Sequence, residues 1–208
     1  MAMISKDIKN IIFDLGGVLL NIDYHITINQ FKDMGIQHFD ELFSQAQQSH
    51  LFDNFETGKI SESEFISQLQ AFFHIQRSQE EIILAWNSML LDFPIERKET
   101  LKKYAAQYNV VLLSNTNETH VRAFRNILKN TFGEYWFDDV FQNVYYSNEI
   151  GLRKPNKDVF EYVLDQNQFD AAETLFFDDS IQHIEGAKEL GIQTIHLVDR
   201  KIEDFLTD

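Results

Sequence analysis

The sequence predicts an α/β fold, a parallel β-sheet covered by helices on both faces, with an all-helical unit inserted after the first strand. Short apolar runs recur with helical stretches between them, at residues 9–14, 110–113, 174–177 and 193–198. Strands that alternate with helices favour a parallel sheet buried on both sides. Between residues 23 and 93 the spacing is helical throughout, with no convincing strand. The chain has 208 residues, 44% of them hydrophobic, which suits one generous domain or a core with an insertion.

The first strand is the run Ile11-Ile12-Phe13, which delivers Asp14 to a glycine pair, Gly16-Gly17, before the chain turns apolar again. In the helical stretch, Phe65, Leu69, Phe72 and Phe73 share one face, as do Ile82, Ile83, Trp86, Met89 and Leu90. Two of its helices open with a capping box, Ser61 with Glu64 and Ser78 with Glu81. Gly35 and Gly58 punctuate it, as glycines that end helices or make turns do. Residues 23–93 are expected to form a four-helix cap, and residues 1–22 and 94–208 the core. A helix follows, centred on Leu101, Tyr104, Ala105 and Tyr108, then the strand Val110-Val111-Leu112-Leu113 ending at Ser114-Asn115. Next come a helix on Val121, Phe124, Ile127 and Leu128, an apolar patch at Val144-Tyr145-Tyr146, and a helix on Val159, Phe160, Val163 and Leu164. The strand at 174–177, a helix to Gly191, the strand at 193–198 and an acidic terminal helix complete the chain.

Composition excludes several functions. With 18 basic and 33 acidic residues the formal charge is −15, a field that repels nucleic acid and anionic membranes. A phosphorylated ligand therefore needs cations supplied locally. The absence of cysteine excludes disulfides and thiolate metal sites. Residues 1–10 lack the apolar core of a signal peptide, and no apolar run is long enough to span a bilayer. A cytoplasmic protein, monomeric or a weak homodimer, is the expectation.

Active sites of parallel sheets lie beyond the carboxyl ends of the strands, where Asp14, Ser114 and the pair Asp178-Asp179 all fall. Singly, each has a plain reading. Asp14 suits a turn, Ser114-Asn115 an ordinary strand end, and Arg153-Lys154-Pro155 a solvated loop. Adjacent carboxylates repel, however, unless a cation or hydrogen-bond donors neutralise them. A hard divalent cation takes oxygen ligands, typically carboxylates with substrate phosphate and water. A lysine supplies the point charge that a transferring phosphoryl group needs. Together these groups suit phosphoryl transfer, with Asp14 as a carboxylate nucleophile.

Four ordered motifs resemble those of the haloacid dehalogenase superfamily, in the phosphatase branch with a helical cap after the first strand. They are Phe13-Asp14-Leu15-Gly16-Gly17-Val18-Leu19, Leu112-Leu113-Ser114-Asn115, Arg153-Lys154-Pro155 and Phe177-Asp178-Asp179. Ser114-Asn115-Thr116-Asn117, Gly151-Leu152-Arg153-Lys154-Pro155 and Ile184-Glu185-Gly186-Ala187 are most similar to the bacterial alpha-D-glucose-1-phosphate phosphatase subgroup. The resemblance implies a Rossmann-like three-layer core with a helical cap that closes over the site. It also implies that Asp14 attacks phosphorus, and that Asp14, the Gly16 carbonyl and Asp179 hold Mg²⁺. Ser114, Asn115 and Lys154 would bind the phosphoryl group, Lys154 also stabilising the nucleophile, with Asp178 in a second layer around the metal. The substrate class implied is a small phosphorylated metabolite, a sugar phosphate such as alpha-D-glucose 1-phosphate.

Two positions depart from the family. Gly16 stands where most of its phosphatases carry a second aspartate as general acid/base, whose loss typically costs ~10²–10⁴-fold. That loss matters least for an acidic leaving group, and an anomeric hydroxyl is more acidic than a simple alkyl one. It also argues against a phosphomutase. His183 stands where Asp or Asn is usual, one helical turn beyond Asp179. It is either a histidine at the surface or near metal-bound water, or the source of the missing proton transfer. The stretch Glu56-Thr57-Gly58-Lys59-Ile60-Ser61 resembles the cap loop that approaches substrate, and also suits an exposed turn before a capped helix. Asp23, Tyr24 and His25 lie at the cap hinge, within reach of the site. His38, His50, His74, His120 and His196 show no metal spacing.

Two rivals remain. A 2-haloacid dehalogenase would use the same nucleophile without metal, and the Asp178-Asp179 pair argues against it. A non-catalytic phospho-ligand sensor is disfavoured by the retention of Asp14, Ser114, Lys154 and Asp179.

Overall fold

The computed structural model describes residues 4–36, 39, 41, 50–198 and 200–206. His38 and the first three residues lie outside the described residues. Five parallel strands form one sheet in the order β3-β2-β1-β4-β5. They are β1 (Asn10–Phe13), β2 (Asn109–Ser114), β3 (Asn143–Tyr146), β4 (Thr174–Asp178) and β5 (Gln193–His196). The chain builds outward from β1 through β2 to β3, then returns to the other side for β4 and β5. The strand order therefore reverses beside β1, where open α/β sheets hold their ligands.

β1 is buried along its whole length, as a central parallel strand must be. Its side chains alternate between two cores. Ile11 and Phe13 join Leu112 and Phe177 on one face, while Ile12 joins Val111, Leu113 and Phe176 on the other. Phe13 stacks on Phe177 at 5.2 Å between ring centres and meets Tyr104 edge-on at the same distance. The register sets Phe13 opposite both Leu112 and Phe177, so all three central strands end at one rim.

A third core lies in the helical stretch after β1. Among the described residues it contains α1 (Tyr24–Asp33), α2 (Leu51–Glu56), α3 (Glu62–Phe73) and α4 (Gln79–Asn87). Its centre is aromatic, with Phe55 stacked on Phe65 at 4.1 Å and Phe52 on Trp86 at 5.4 Å. Both expected capping boxes form, at Ser61 with Glu64 and Ser78 with Glu81. The unit joins the sheet through a short antiparallel ribbon. Ile22 bridges Leu90, and Asp23 N donates to Met89 O and Leu91 N to Asn21 O, both at 2.9 Å.

The sheet-covering helices are α5 (Ile95–Ala105), α6 (Glu118–Phe132), the short α7 (Phe137–Val140) and α8 (Ser147–Ile150), α9 (Lys157–Asn167) and α10 (Ile181–Lys188). Several sequence expectations shift. Tyr108 falls beyond α5, because Gln107 N closes a tighter turn on Tyr104 O at 3.0 Å and Asn109 N is drawn to Lys9 O in the sheet. The apolar patch at Val144 is an edge strand. The last strand stops at His196, leaving Val198 exposed, and the terminal segment is a 3-10 turn, Ile202–Phe205, rather than an α-helix. No helix among the described residues is long and apolar enough to cross a membrane.

Candidate active site

Asp14 follows β1 directly, and its N–H donates to Phe177 O at 3.0 Å, continuing the ladder one residue past the strand. That bond holds the carboxylate beside the end of β4, where Asp178 is the last strand residue. Between the two stands Lys154. Its Nζ donates to Asp14 Oδ1 and to Asp178 Oδ2, both at 2.7 Å, and to Leu113 O at 3.1 Å. Three acceptors satisfy the three donors of the ammonium, which is how a fully buried lysine stays charged. The loop carrying Lys154 is clamped by Asn115, whose Nδ2 donates to Lys154 O at 2.8 Å and whose Oδ1 accepts from Lys154 N at 2.9 Å. The Asn115 side chain is thus spent on the lysine loop.

Asp178 is held from inside the protein. Its Oδ1 accepts from Ser180 N at 2.7 Å and from His183 Nδ1 at 3.0 Å, in addition to the bond from Lys154 to Oδ2. His183 therefore pairs with Asp178 and not with Asp179. The reason is local: α10 starts at Ile181, so Asp179 precedes the helix and one-turn spacing does not apply to it. His183 donates through Nδ1, which leaves Nε2 as its remaining polar atom.

Burial pushes the Asp14 carboxyl up to about 7, against the pull of the Lys154 ammonium and with the push of Asp178. Asp178 goes the other way; burial raises it, but Lys154 and His183 hold it at about 2. Asp179 is raised by burial and by its neighbour Asp178. Crowded carboxylates of this kind call for a cation. Asp14, Asp178 and Asp179 each offer an oxygen within 4.8 Å of the others. The donors are hard oxygens only, a set that fits a hard divalent cation. Asp178 is fully buried, whereas Asp14 and Asp179 are the carboxylates that face the open side of the cluster. Gly17 makes room for Asp179: at φ +76° it adopts a conformation that suits glycine, and a Cβ there would overlap the carboxylate.

These groups open into a cavity of about 660 Å³. Its core side includes Gly16, Ser114 and Asn115; the helical unit contributes Tyr24, Asp53, Glu56 and Trp86. Of the three hinge residues expected near the site, Tyr24 lines the cavity, whereas Asp23 caps α1 by accepting from His25 N at 2.9 Å. In the stretch from Glu56 to Ser61, Glu56 closes α2 and lines the cavity, while Lys59 in the following loop is exposed. Arg153, quoted in the sequence only as part of a motif, reaches both acids of α2. It pairs with Asp53 through Nη1 and with Glu56 Oε2 through Nη2 at 2.9 Å. The Glu56 contact is not aligned as a hydrogen bond, so Oε2 lacks a hydrogen-bond partner, and burial raises the Glu56 carboxyl against the pull of Arg153. The spacing of Asp53 and Glu56, three residues apart on one helix, was the available signal.

His120 also lines the cavity. Its ring stacks on Trp86 at 5.2 Å, Nε2 lies 3.3 Å from Trp86 O, and Nδ1 lies 3.2 Å from Asn117 Nδ2. A carbonyl partner requires Nε2 to carry the proton, so the ring is a neutral clasp between α6 and α4.

Residues 8–191 match the family model of haloacid dehalogenase-like hydrolases, and the chain belongs to that family. Among its relatives, a D-ribitol-5-phosphate phosphatase of Bacteroides thetaiotaomicron is 30% identical, over 90% of this chain and 90% of its own. A sesquiterpene phosphatase of Aspergillus oryzae is 26% identical, over 92% of this chain and 90% of its own. Among solved structures, a family enzyme from Bacteroides thetaiotaomicron in complex with magnesium and inorganic phosphate superposes with a TM-score of 0.80. It shares 34% identity and covers 91% of this chain and 93% of its own.

Proposed function

We propose that the chain is a Mg²⁺-dependent phosphatase that hydrolyses small sugar or sugar-alcohol phosphates through an aspartyl-phosphate on Asp14. The observation that carries this reading is the buried Lys154, hydrogen-bonded at once to Asp14 and Asp178 beside a free carboxylate, Asp179. Asp14, Asp179 and the Gly16 carbonyl would hold Mg²⁺, which supplies positive charge to the phosphoryl oxygens and keeps Asp14 ionised. Asp14 attacks phosphorus as the ester P–O bond breaks, and the leaving alkoxide takes a proton from water. Ser114, the Asn115 main chain and Lys154 receive the equatorial oxygens, whose charge rises in the transition state. Water then attacks the phosphorus of the aspartyl-phosphate, losing a proton, and the Asp14 carboxylate departs with both its oxygens. Asp178 and His183 orient Lys154 for both steps. Residues 23–93 act as the cap.

The cap side of the cavity favours a neutral, hydroxyl-bearing leaving group. Asp53 and Glu56 outnumber Arg153 there, so a second anionic group on the substrate meets no free cation from these residues. Glu56 offers an acceptor without a hydrogen-bond partner for a substrate hydroxyl. Gly16 points to alpha-D-glucose 1-phosphate, whose anomeric oxygen leaves without a strong acid. The relative at 30% identity points to ribitol 5-phosphate, a primary ester.

The test is turnover of the purified protein on both esters, a prenyl phosphate and a 2-haloacid, with Mg²⁺ and with chelator, beside Asp14→Asn. Mg²⁺-dependent release of phosphate that is lost in Asp14→Asn is the expected result. Chelator-resistant turnover would overturn the metal assignment, and turnover on nothing would favour the sensor.

A further inference from the structure

Arg153 and Lys154 are consecutive, yet their side chains serve different parts of the molecule. Lys154 points into the core and bridges Asp14 and Asp178. Arg153 points to the helical unit and pairs with Asp53 and Glu56 on α2. We propose that Arg153 is a positioning residue that docks α2 over the site and ties that docking to the placement of Lys154. The inference rests on the phosphatase reading for its kinetic effect, though not for its structural one.

Three further contacts support it. The peptide of residue 154 is clamped from the core by Asn115 on both its N–H and its carbonyl, so residue 153 starts from a rigid base. The loop after α2 sits directly on the core turn that leads to Arg153. Gly58, at φ +66°, approaches the Asn148 carbonyl so closely that a Cβ would overlap it, and Thr57 O lies 4.0 Å from the position of a Cβ on Gly151. Elsewhere the helical unit is tied to the core by the ribbon at Ile22 and Leu90, by the His120 ring stacked on Trp86 and by Arg122 paired with Glu62. Those ties act on the ends of the unit and on α3 and α4, whereas the Arg153 pairs act on α2 and set how closely it sits over the site. Because the Arg153, Asp53 and Glu56 side chains are 26%, 42% and 23% exposed, their pairing is partly screened by salt, and the dock can open. α2 carries Phe52, Asp53 and Glu56 into the cavity wall, so its docking shapes the space for the leaving group.

Arg153→Met keeps the side-chain length and removes the charge. It should lower kcat by ~10–100-fold, the scale of a small misplacement at a reacting centre, while leaving Mg²⁺ affinity and Tm nearly unchanged. Arg153→Lys should recover part of kcat. Asp53→Asn with Glu56→Gln should reproduce the loss, and adding Arg153→Met to that pair should lower kcat little further, since the residues act as one unit. Arg77→Met removes an exposed pair with Glu81 inside the helical unit and should change nothing. Amide hydrogen exchange of Leu51–Glu56, with Mg²⁺ and inorganic phosphate as probes, should be faster in Arg153→Met than in wild type. A lowered Tm with wild-type kcat and exchange would make Arg153 merely structural and overturn the proposal, as would additive losses. Wild-type protein without turnover on any ester would defeat the phosphatase reading, while the exchange comparison would still decide the docking.

Discussion

Lys154 Nζ and Asp178 Oδ2 stand 2.7 Å apart with neither side chain exposed, and Asp14 shares the same ammonium. Removing one partner of such a group leaves uncompensated charge in the interior, which costs about 3–5 kcal/mol. Lys154→Met should therefore lower Tm by on the order of 10 °C for a chain of this size. It should also reduce kcat by ~10²–10³-fold, the usual loss when a preorganised electrostatic donor is removed. Thermal melting and steady-state kinetics check both parts, and a stable, active variant would refute the assignment of Lys154.

Gly16→Asp tests the missing acid directly. Gly16 is not at positive φ, and a Cβ there would meet only the Ile22 side chain, with Cδ1 at 3.3 Å. The residue fits once Ile22 changes rotamer. Asp14 and Asp179 nearby would keep an added carboxyl partly protonated through like-charge repulsion. Turnover of ribitol 5-phosphate should rise, by up to ~10²-fold. Turnover of p-nitrophenyl phosphate, whose leaving group needs no proton, should change little. Equal gains on both esters would show that residue 16 does not act on the leaving oxygen.

Gly17→Ala should weaken Mg²⁺ binding, because the new methyl group overlaps the Asp179 carboxylate and turns it aside. A loss of ~10–100-fold in affinity is the scale expected when a ligand's support is disturbed. Mg²⁺ titration by calorimetry measures it. Unchanged affinity in a folded variant would remove Asp179 from the ligand set.

Much of this site was legible because strand ends are legible. Ile11-Ile12-Phe13 and Leu175-Phe176-Phe177 are apolar runs cut off by carboxylates, and a parallel sheet carries such ends to one rim. The helices between β1 and β2 announced themselves through two capping boxes and aromatic faces at helical spacing. The rest depends on contacts that spacing does not encode. The Asn115 side-chain amide is bonded to the main chain of residue 154, 39 positions on. Arg153 and Asp53 are 100 positions apart. His183 was placed by helical periodicity from a residue that turned out to precede its helix. Edge strand β3 carries only Val144-Tyr145-Tyr146 as its apolar run and no chemistry-bearing residue at its end, so it reads as a patch and not a strand.

His120, which shows no metal spacing in the sequence, gives a pH dependence that can be isolated. Burial lowers its pKa from the ordinary 6.5 to about 4, with the Trp86 carbonyl pulling the other way. Above about pH 6.5 the ring is neutral in both the folded and the unfolded chain, and its contribution to stability is at its plateau. As pH falls from 6.5 towards 4, the unfolded chain binds a proton that the folded chain refuses, so stability is lost across that window. Each tenfold change in proton affinity is worth about 1.36 kcal/mol, so the full loss attributable to this one ring is about 3 kcal/mol. His120→Gln stays neutral throughout and keeps a donor for the Trp86 carbonyl. Urea melts of the two proteins at pH 7.5 and pH 4 isolate the effect, because other titrating groups cancel in the difference. The variant should gain about 3 kcal/mol on wild type between the two pH values. If the difference between them does not move with pH, His120 is not the neutral clasp between α4 and α6 that its contacts describe.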